Sequence, residues 1–282
     1  MKKFWTAVMA VSLAALLGGC GGNSGNANAS DSTGESRTAA STTASTVKAE
    51  PVKLHLAAAA SLEYAFQEKL IPLYQKEHPE VTIEGTYDSS GKLQTQIESG
   101  MEADLFFSAA TKQMAALVTE DLIDKDTVTD LLENKVVLIT PTNDPENLKA
   151  FTDIEKAKTI AIGDPESVPA GQYAKEVLTK LSLWDKLESR FSLGTNVTEV
   201  LNWVAEGSAD AGIVYETDAK TTDKVKIIAE APADSLEKPI IYPAGIVKAS
   251  KNAEATKAFL AFLQTAEAAD IFKEYGFTPI AK

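Results

Sequence analysis

One cysteine and two histidines in 282 residues exclude much chemistry before any motif is sought. A single cysteine, Cys20, permits neither an intrachain disulfide nor a multi-cysteine metal site. His55 and His78 are well separated, and with scattered carboxylates they show no ligand spacing, so no resident metal or cofactor is expected. They also leave little for nucleophilic catalysis. A hydrolase using Ser61 or Ser90 needs a nearby base, yet His55 falls inside an expected strand and His78 at a helix end before Pro79. No Gly-x-Ser-x-Gly elbow surrounds either serine. Basic charge is scarce as well. Lys and Arg total 27 against 40 Asp and Glu, a net charge of −13, which argues against nucleic acid and against electrostatic docking on anionic lipid. The apolar run from Phe4 to Leu17 is too short to span a bilayer comfortably.

That short run has a purpose of its own. Lys2 and Lys3 precede it and Leu17-Gly18-Gly19-Cys20 follows, which reads as a secretory signal and resembles the bacterial lipobox. The resemblance implies cleavage of residues 1–19 before Cys20 and a lipid (palmitate-type) anchor on that cysteine, placing the protein on the extracytoplasmic face of the cell membrane. Residues 20–50 are mainly Gly, Ser, Thr, Asn and Ala with almost no large apolar side chains. They cannot bury enough surface to offset their ordering entropy, and so read as a flexible tether. The mature chain holds 25 basic against 40 acidic residues, a net charge of −15.

From Pro51 onward the hydrophobic period switches repeatedly between 2 and 3.6. Strands are predicted at Lys53–Ala57, Val81–Tyr87, Ala103–Ser108, Lys135–Thr140, Thr159–Gly163, Ala211–Tyr215, Val225–Ile228 and Ile240–Val247. Helices are predicted at Leu62–His78, Leu93–Ser99, Lys112–Val118, Gly171–Leu181, Val197–Glu206 and Ala255–Tyr275. The alternation implies an α/β protein with mainly parallel sheets that binds ligands at strand carboxyl ends. Four small-residue or hydroxyl-bearing turns open helices there: Ala59-Ala60-Ser61-Leu62, Asp88-Ser89-Ser90-Gly91, Val168-Pro169-Ala170-Gly171 and Thr195-Asn196-Val197-Thr198. Helix N-termini present unpaired N–H groups and about half a positive charge, so several converging on one crevice make an anion site without Lys or Arg. Surface carboxylates are screened beyond about 10 Å and do not preclude it. Pro169 suits a first helical position and leaves Ala170 and Gly171 to expose N–H groups. Tyr215 ends a strand and offers a hydroxyl donor. The bland alternatives are that Ser61 and Ser90 are helix caps and Tyr215 is core.

Particular segments resemble the substrate-binding protein of bacterial molybdate ABC importers. They are Leu56–Leu62, Ala103–Ala109, Gly163–Lys175, Gly212–Ala219 and Ala268–Phe277, of which Gly163–Lys175 is highly specific. The resemblance covers Val52 to Phe277. It implies a two-lobed type II periplasmic-binding-protein fold with a hinge, one lobe from residues 51–133 plus 238–282 and the other from 134–237. It also implies that molybdate or tungstate is bound by Ser61, Ser90, Ala170, Val197 and Tyr215, molybdenum entering only as the oxyanion. The implied partners are an ABC permease with its ATPase, and a monomer is expected. This chain departs from the family pattern at Asp88 and at Gly91-Lys92, where small or hydroxyl residues are common.

Chemistry narrows the ligand. A site made only of donors suits a fully deprotonated tetrahedral dianion, whereas hydrogen phosphate presents a proton that wants an acceptor such as a carboxylate. Sulfate and molybdate differ there chiefly in size, so a sulfate or other tetrahedral oxyanion binder is the alternative within this fold. A lipid-anchored hydrolase or sensor is the alternative outside it.

Overall fold

The computed structural model describes residues 50–144 and 146–280. The signal segment, Cys20 and the tether through Ala49 lie outside the described residues. Eleven strands are seen among the described residues: β1 (Val52–Ala59), β2 (Val81–Asp88), β3 (Leu105–Phe107), β4 (Thr129–Asn134), β5 (Val136–Pro141), β6 (Ile160–Gly163), β7 (Phe191–Gly194), β8 (Ala211–Tyr215), β9 (Val225–Glu230), β10 (Ile240–Ile246) and β11 (Thr278–Pro279). They form two sheets, ordered β11-β4-β10-β3-β1-β2 and β7-β6-β8-β5-β9. The chain crosses from the first sheet to the second at Lys135, between β4 and β5, and returns between β9 and β10.

The central strands show why these sequences pair as they do. β1 opens with alternating burial and closes on a fully buried run of alanines, and all five residues of β8 are buried, as expected for strands covered on both faces. Parallel pairing joins β1 to β2 and β3, and β6 to β7 and β8. The other five pairs are antiparallel, so the sheets are mixed and parallel pairing does not dominate them, contrary to what the alternation of elements suggests. The reversals come from β5 and β10, each the first strand after a crossover, which run against β6 and β1, and from β11, which pairs antiparallel with β4.

Two predicted helices differ in detail. The first runs from Glu63 to Glu77 but widens into a π segment at Phe66–Leu70, just before Pro72, whose missing N–H an uninterrupted α-helix would need. The last divides into Ala253–Phe262 and Ala266–Glu274, because the Thr265 hydroxyl accepts from Ala268 N–H at 3.2 Å and starts a new helix. Both halves pack on the first sheet. The Phe66 ring meets Phe107, Phe259 and Phe272 at 5.9, 6.3 and 6.0 Å, tying the C-terminal helices to β3.

Candidate functional site

Each of the four turns singled out in the sequence follows a strand and precedes a helix, and all four reach one cavity. Ala59, Ala60 and Ser61 line it from the end of β1; Asp88, Ser89 and Ser90 from the end of β2; Val168, Pro169 and Ala170 from beyond β6; and Val197 from beyond β7. Ala109 and Tyr215 complete the wall. Ser61, Ser90, Ala170, Val197 and Tyr215 are thus brought together, from both sheets. Ser90 and Val197 begin their helices and Ala170 is the second residue of its own, so their N–H groups have no intrahelical acceptor. The cavity is small, about 10 Å³. Pockets for organic ligands run to roughly 300–1,000 Å³, so this one suits a solute of a few atoms.

Close approach builds the cavity. A Cβ on Gly171 would lie 1.9 Å from the Gly163 carbonyl oxygen, so only glycine lets the Pro169–Lys180 helix press its first turn against the end of β6. Gly91 has the corresponding role between sheets. Its N–H donates to the Ser167 carbonyl at 3.0 Å, and a Cβ there would meet that oxygen at 2.3 Å. Asn196 Nδ2 also reaches across to Asp88 Oδ1 at 3.4 Å, and Gln113 Nε2 to Gln172 Oε1 at 3.3 Å.

The hydroxyls do not act as caps. No side-chain capping bond is made by Ser89, and Ser90 is the first helical residue rather than the cap. Ser90 Oγ accepts from Ala109 N–H at 2.9 Å, leaving its own hydrogen to give. Ser61 Oγ pairs with the Tyr242 hydroxyl at 3.0 Å. Tyr215 Oη and Ser89 Oγ are buried and have no hydrogen-bond partner among the described residues, which is unusual for buried hydroxyls. Burial holds the Tyr215 hydroxyl well above the ordinary phenol range, assisted by the neighbouring Tyr242 and Tyr173, so it remains a protonated donor.

Sequence reasoning missed two wall residues in a turn it had singled out. Ser89 adds an unpartnered hydroxyl beside Ser90. Asp88 brings a carboxyl into a wall expected to hold donors alone, but its Oδ1 already accepts from Ser89 N–H at 2.7 Å, Lys92 Nζ at 3.3 Å and Asn196 Nδ2. Lys92 is therefore paired with Asp88. The clue lay in the i, i+4 spacing of those two residues.

A compact cavity of helix N-termini and hydroxyls, its one wall carboxyl already hydrogen-bonded, is lined from two α/β sheets joined by two chain crossings, as in a two-lobed solute-binding fold. Comparison with known proteins agrees: a family model described as bacterial extracellular solute-binding protein matches residues 54–278, and the chain belongs to that family. YvgL of Bacillus subtilis, provisionally assigned as an ABC transporter substrate-binding lipoprotein, is 46% identical over 83% of this chain and 89% of its own length. The molybdate-binding protein ModA of Haemophilus influenzae is 40% identical over 82% of this chain and 91% of its own. A solved substrate-binding domain from Clostridium difficile, provisionally assigned to a molybdenum ABC transporter, superposes with a TM-score of 0.64 at 42% identity. It covers 82% of this chain and 100% of that one.

Proposed function

We propose that this protein captures molybdate, and tungstate equally well, outside the cytoplasm and delivers it to an ABC permease and its ATPase. The bound ion is held by Ser61, Ser90, Ala170, Val197 and Tyr215, with no catalysis. The observation that carries the reading is the convergence of those five neutral donors on a cavity sized for a compact ion. The likeness to ModA supports the choice of ion. Binding without catalysis is supported by the partners of the two serines, which are Tyr242 and the Ala109 N–H; His78 instead stacks on Tyr74. The lobes run from 51–133 plus 238–282 and from 134–237, a division supported by the strands of each sheet. The protein works as a monomer tethered by a lipid on Cys20, a reading supported by the lipobox; its recovery from membranes only with detergent checks the anchor.

Isothermal titration with molybdate, tungstate, sulfate and phosphate in one buffer tests the assignment. The first two bind tightly, sulfate binds weakly and phosphate does not bind, because both oxygens of the wall carboxyl of Asp88 already accept from Lys92, and Oδ1 from the Ser89 N–H as well. Preference for sulfate would change the nutrient and keep the cleft; no heat with any of the four would overturn the proposal.

A further inference from the structure

Ser61 stands at the cavity wall, and its hydroxyl is held from behind by a directed chain of hydrogen bonds. Tyr242, fully buried in β10, lies 3.0 Å from Ser61 Oγ and accepts from Asn134 Nδ2 at 3.1 Å. Asn134 sets the direction of the protons. Its Oδ1 accepts from the Lys135 backbone N–H at 2.8 Å, and that group can only donate, so the amide is fixed with Nδ2 facing Thr217 Oγ1 at 2.9 Å and Tyr242.

The Tyr242 oxygen therefore receives a hydrogen from Asn134, and its own hydrogen must go elsewhere. Neither Tyr215 Oη nor Asp218 Oδ2 stands in ordinary hydrogen-bond geometry to accept it among the described residues. Ser61 Oγ is the acceptor within reach. The opposite arrangement, with Ser61 donating to Tyr242, would leave a buried tyrosine hydrogen without an acceptor, and an unmade buried bond is more costly than a made one is favourable. Tyr242 donates to Ser61, and the Ser61 hydrogen is left to point away from Tyr242.

We infer that Tyr242 is a positioning residue for anion binding, acting with Asn134 as a one-way relay that presents the Ser61 hydroxyl to the ion as a donor. This rests on the proposal that Ser61 holds the ion. The relay begins at the crossover from β4 to β5. The amide that ties Thr217, which follows β8 of the second sheet, also sets a donor on the first.

The test is a double-mutant cycle read by molybdate titration, with ligand-free melting temperature as the check on folding. Ser61→Ala raises Kd roughly 10- to 100-fold, the loss of one charge-assisted bond, and Tyr242→Phe raises it about five- to tenfold by releasing the Ser61 hydrogen. The double variant binds within about twofold of Ser61→Ala alone, because Tyr242 has nothing left to orient. If the two effects multiply, Tyr242 does not act through Ser61 and the inference is overturned while the site stands. If Ser61→Ala binds as the wild type does, the assignment of Ser61 fails and takes the relay with it. Should Tyr242→Phe not fold, Asn134→Asp substitutes for it: a carboxylate accepts from Tyr242 and reverses the relay. Its effect on Kd is then larger with Ser61 present than in the Ser61→Ala background, and an equal effect in both overturns the inference.

Discussion

Replacing Tyr215 with phenylalanine separates a binding role from a packing role, because the two predict opposite signs. Tyr215 is 1% exposed at the end of β8, its ring 5.7 Å from that of Tyr242 and 6.4 Å from that of Tyr173. Phenylalanine keeps both ring contacts and removes only Oη, which has no hydrogen-bond partner among the described residues. Against an oxyanion, the deleted group is a charge-assisted donor contributing about 1.5–3 kcal/mol, so Kd rises about 10- to 150-fold. Without the ion, the same deletion removes a buried polar group that gains nothing from the fold. The ligand-free melting temperature then holds or rises, by about 2–4 °C for each kcal/mol in a domain of this size.

Calorimetry reads both quantities on one sample. Saturating ligand at about 1,000 times Kd adds about 4 kcal/mol to wild-type stability, and at that same concentration the variant gains less, by the amount its affinity has fallen. A Tyr215→Phe protein that melts lower without ligand and binds molybdate unchanged would show that the hydroxyl serves the core and not the ion.

Two further substitutions test the cleft. Gly91→Ala places a methyl group 2.3 Å from the Ser167 carbonyl oxygen and breaks the N–H bond that joins the sheets, so closure is obstructed. Its Kd for molybdate rises at least about tenfold and small-angle scattering loses the compaction that ligand brings, whereas wild-type binding would remove the Gly91–Ser167 contact from the bound state. Asp218→Asn is a test by pH. Burial raises the Asp218 carboxyl from 3.8 to about 7, against the opposing pull of backbone N–H groups. The folded state therefore holds its proton longer than the unfolded chain. Stability falls as pH rises from about 4 to 7 and then levels, by about 4 kcal/mol at most. The variant lacks this loss, so its advantage in melting temperature is small at pH 4–5 and largest at pH 8; a constant difference across that range would clear Asp218 of the effect.

The parts of the site legible in the sequence were those written locally. A strand, a turn of small or hydroxyl residues and a helix leave their signature within a dozen positions, which marks the turns that carry Ser61, Ser90, Ala170 and Val197; the choice of these residues as the donors comes from the family resemblance. What decides between a cap and a free hydroxyl is not local. Ser61 is turned from the capping alternative by Tyr242, 181 residues away, and Ser90 by Ala109, 19 away and on a different strand end. The strands β4, β7 and β11 escaped notice for the same reason: Thr129–Asn134 and Phe191–Gly194 acquire their place only by pairing with distant partners, and Thr278–Pro279 is two residues long. The single helix predicted over Ala255–Tyr275 failed at Thr265, where apolar periodicity continues through a cap that restarts the helix.

An acidic protein that binds a dianion has to dispose of its own carboxyls near the site, and this one does so in two ways. Asp88, at the wall, is engaged by Lys92, by the Ser89 N–H and by Asn196 from the opposite sheet, so its charge is offset and its Oδ1 bonds are made. Asp218, whose charge is felt by Tyr215 and Tyr242, is buried without a basic partner among the described residues and is driven toward the protonated form. The second device depends on pH. As pH rises past about 7, Asp218 acquires charge behind the Tyr215 donor and repels the ion, so molybdate affinity declines from pH 6 to 9 in the wild type and stays nearly level in Asp218→Asn. Molybdate itself carries no proton in that range, which leaves the protein as the source of any slope. Equal slopes in the two proteins would assign the decline to another group and leave Asp218 a purely structural acid.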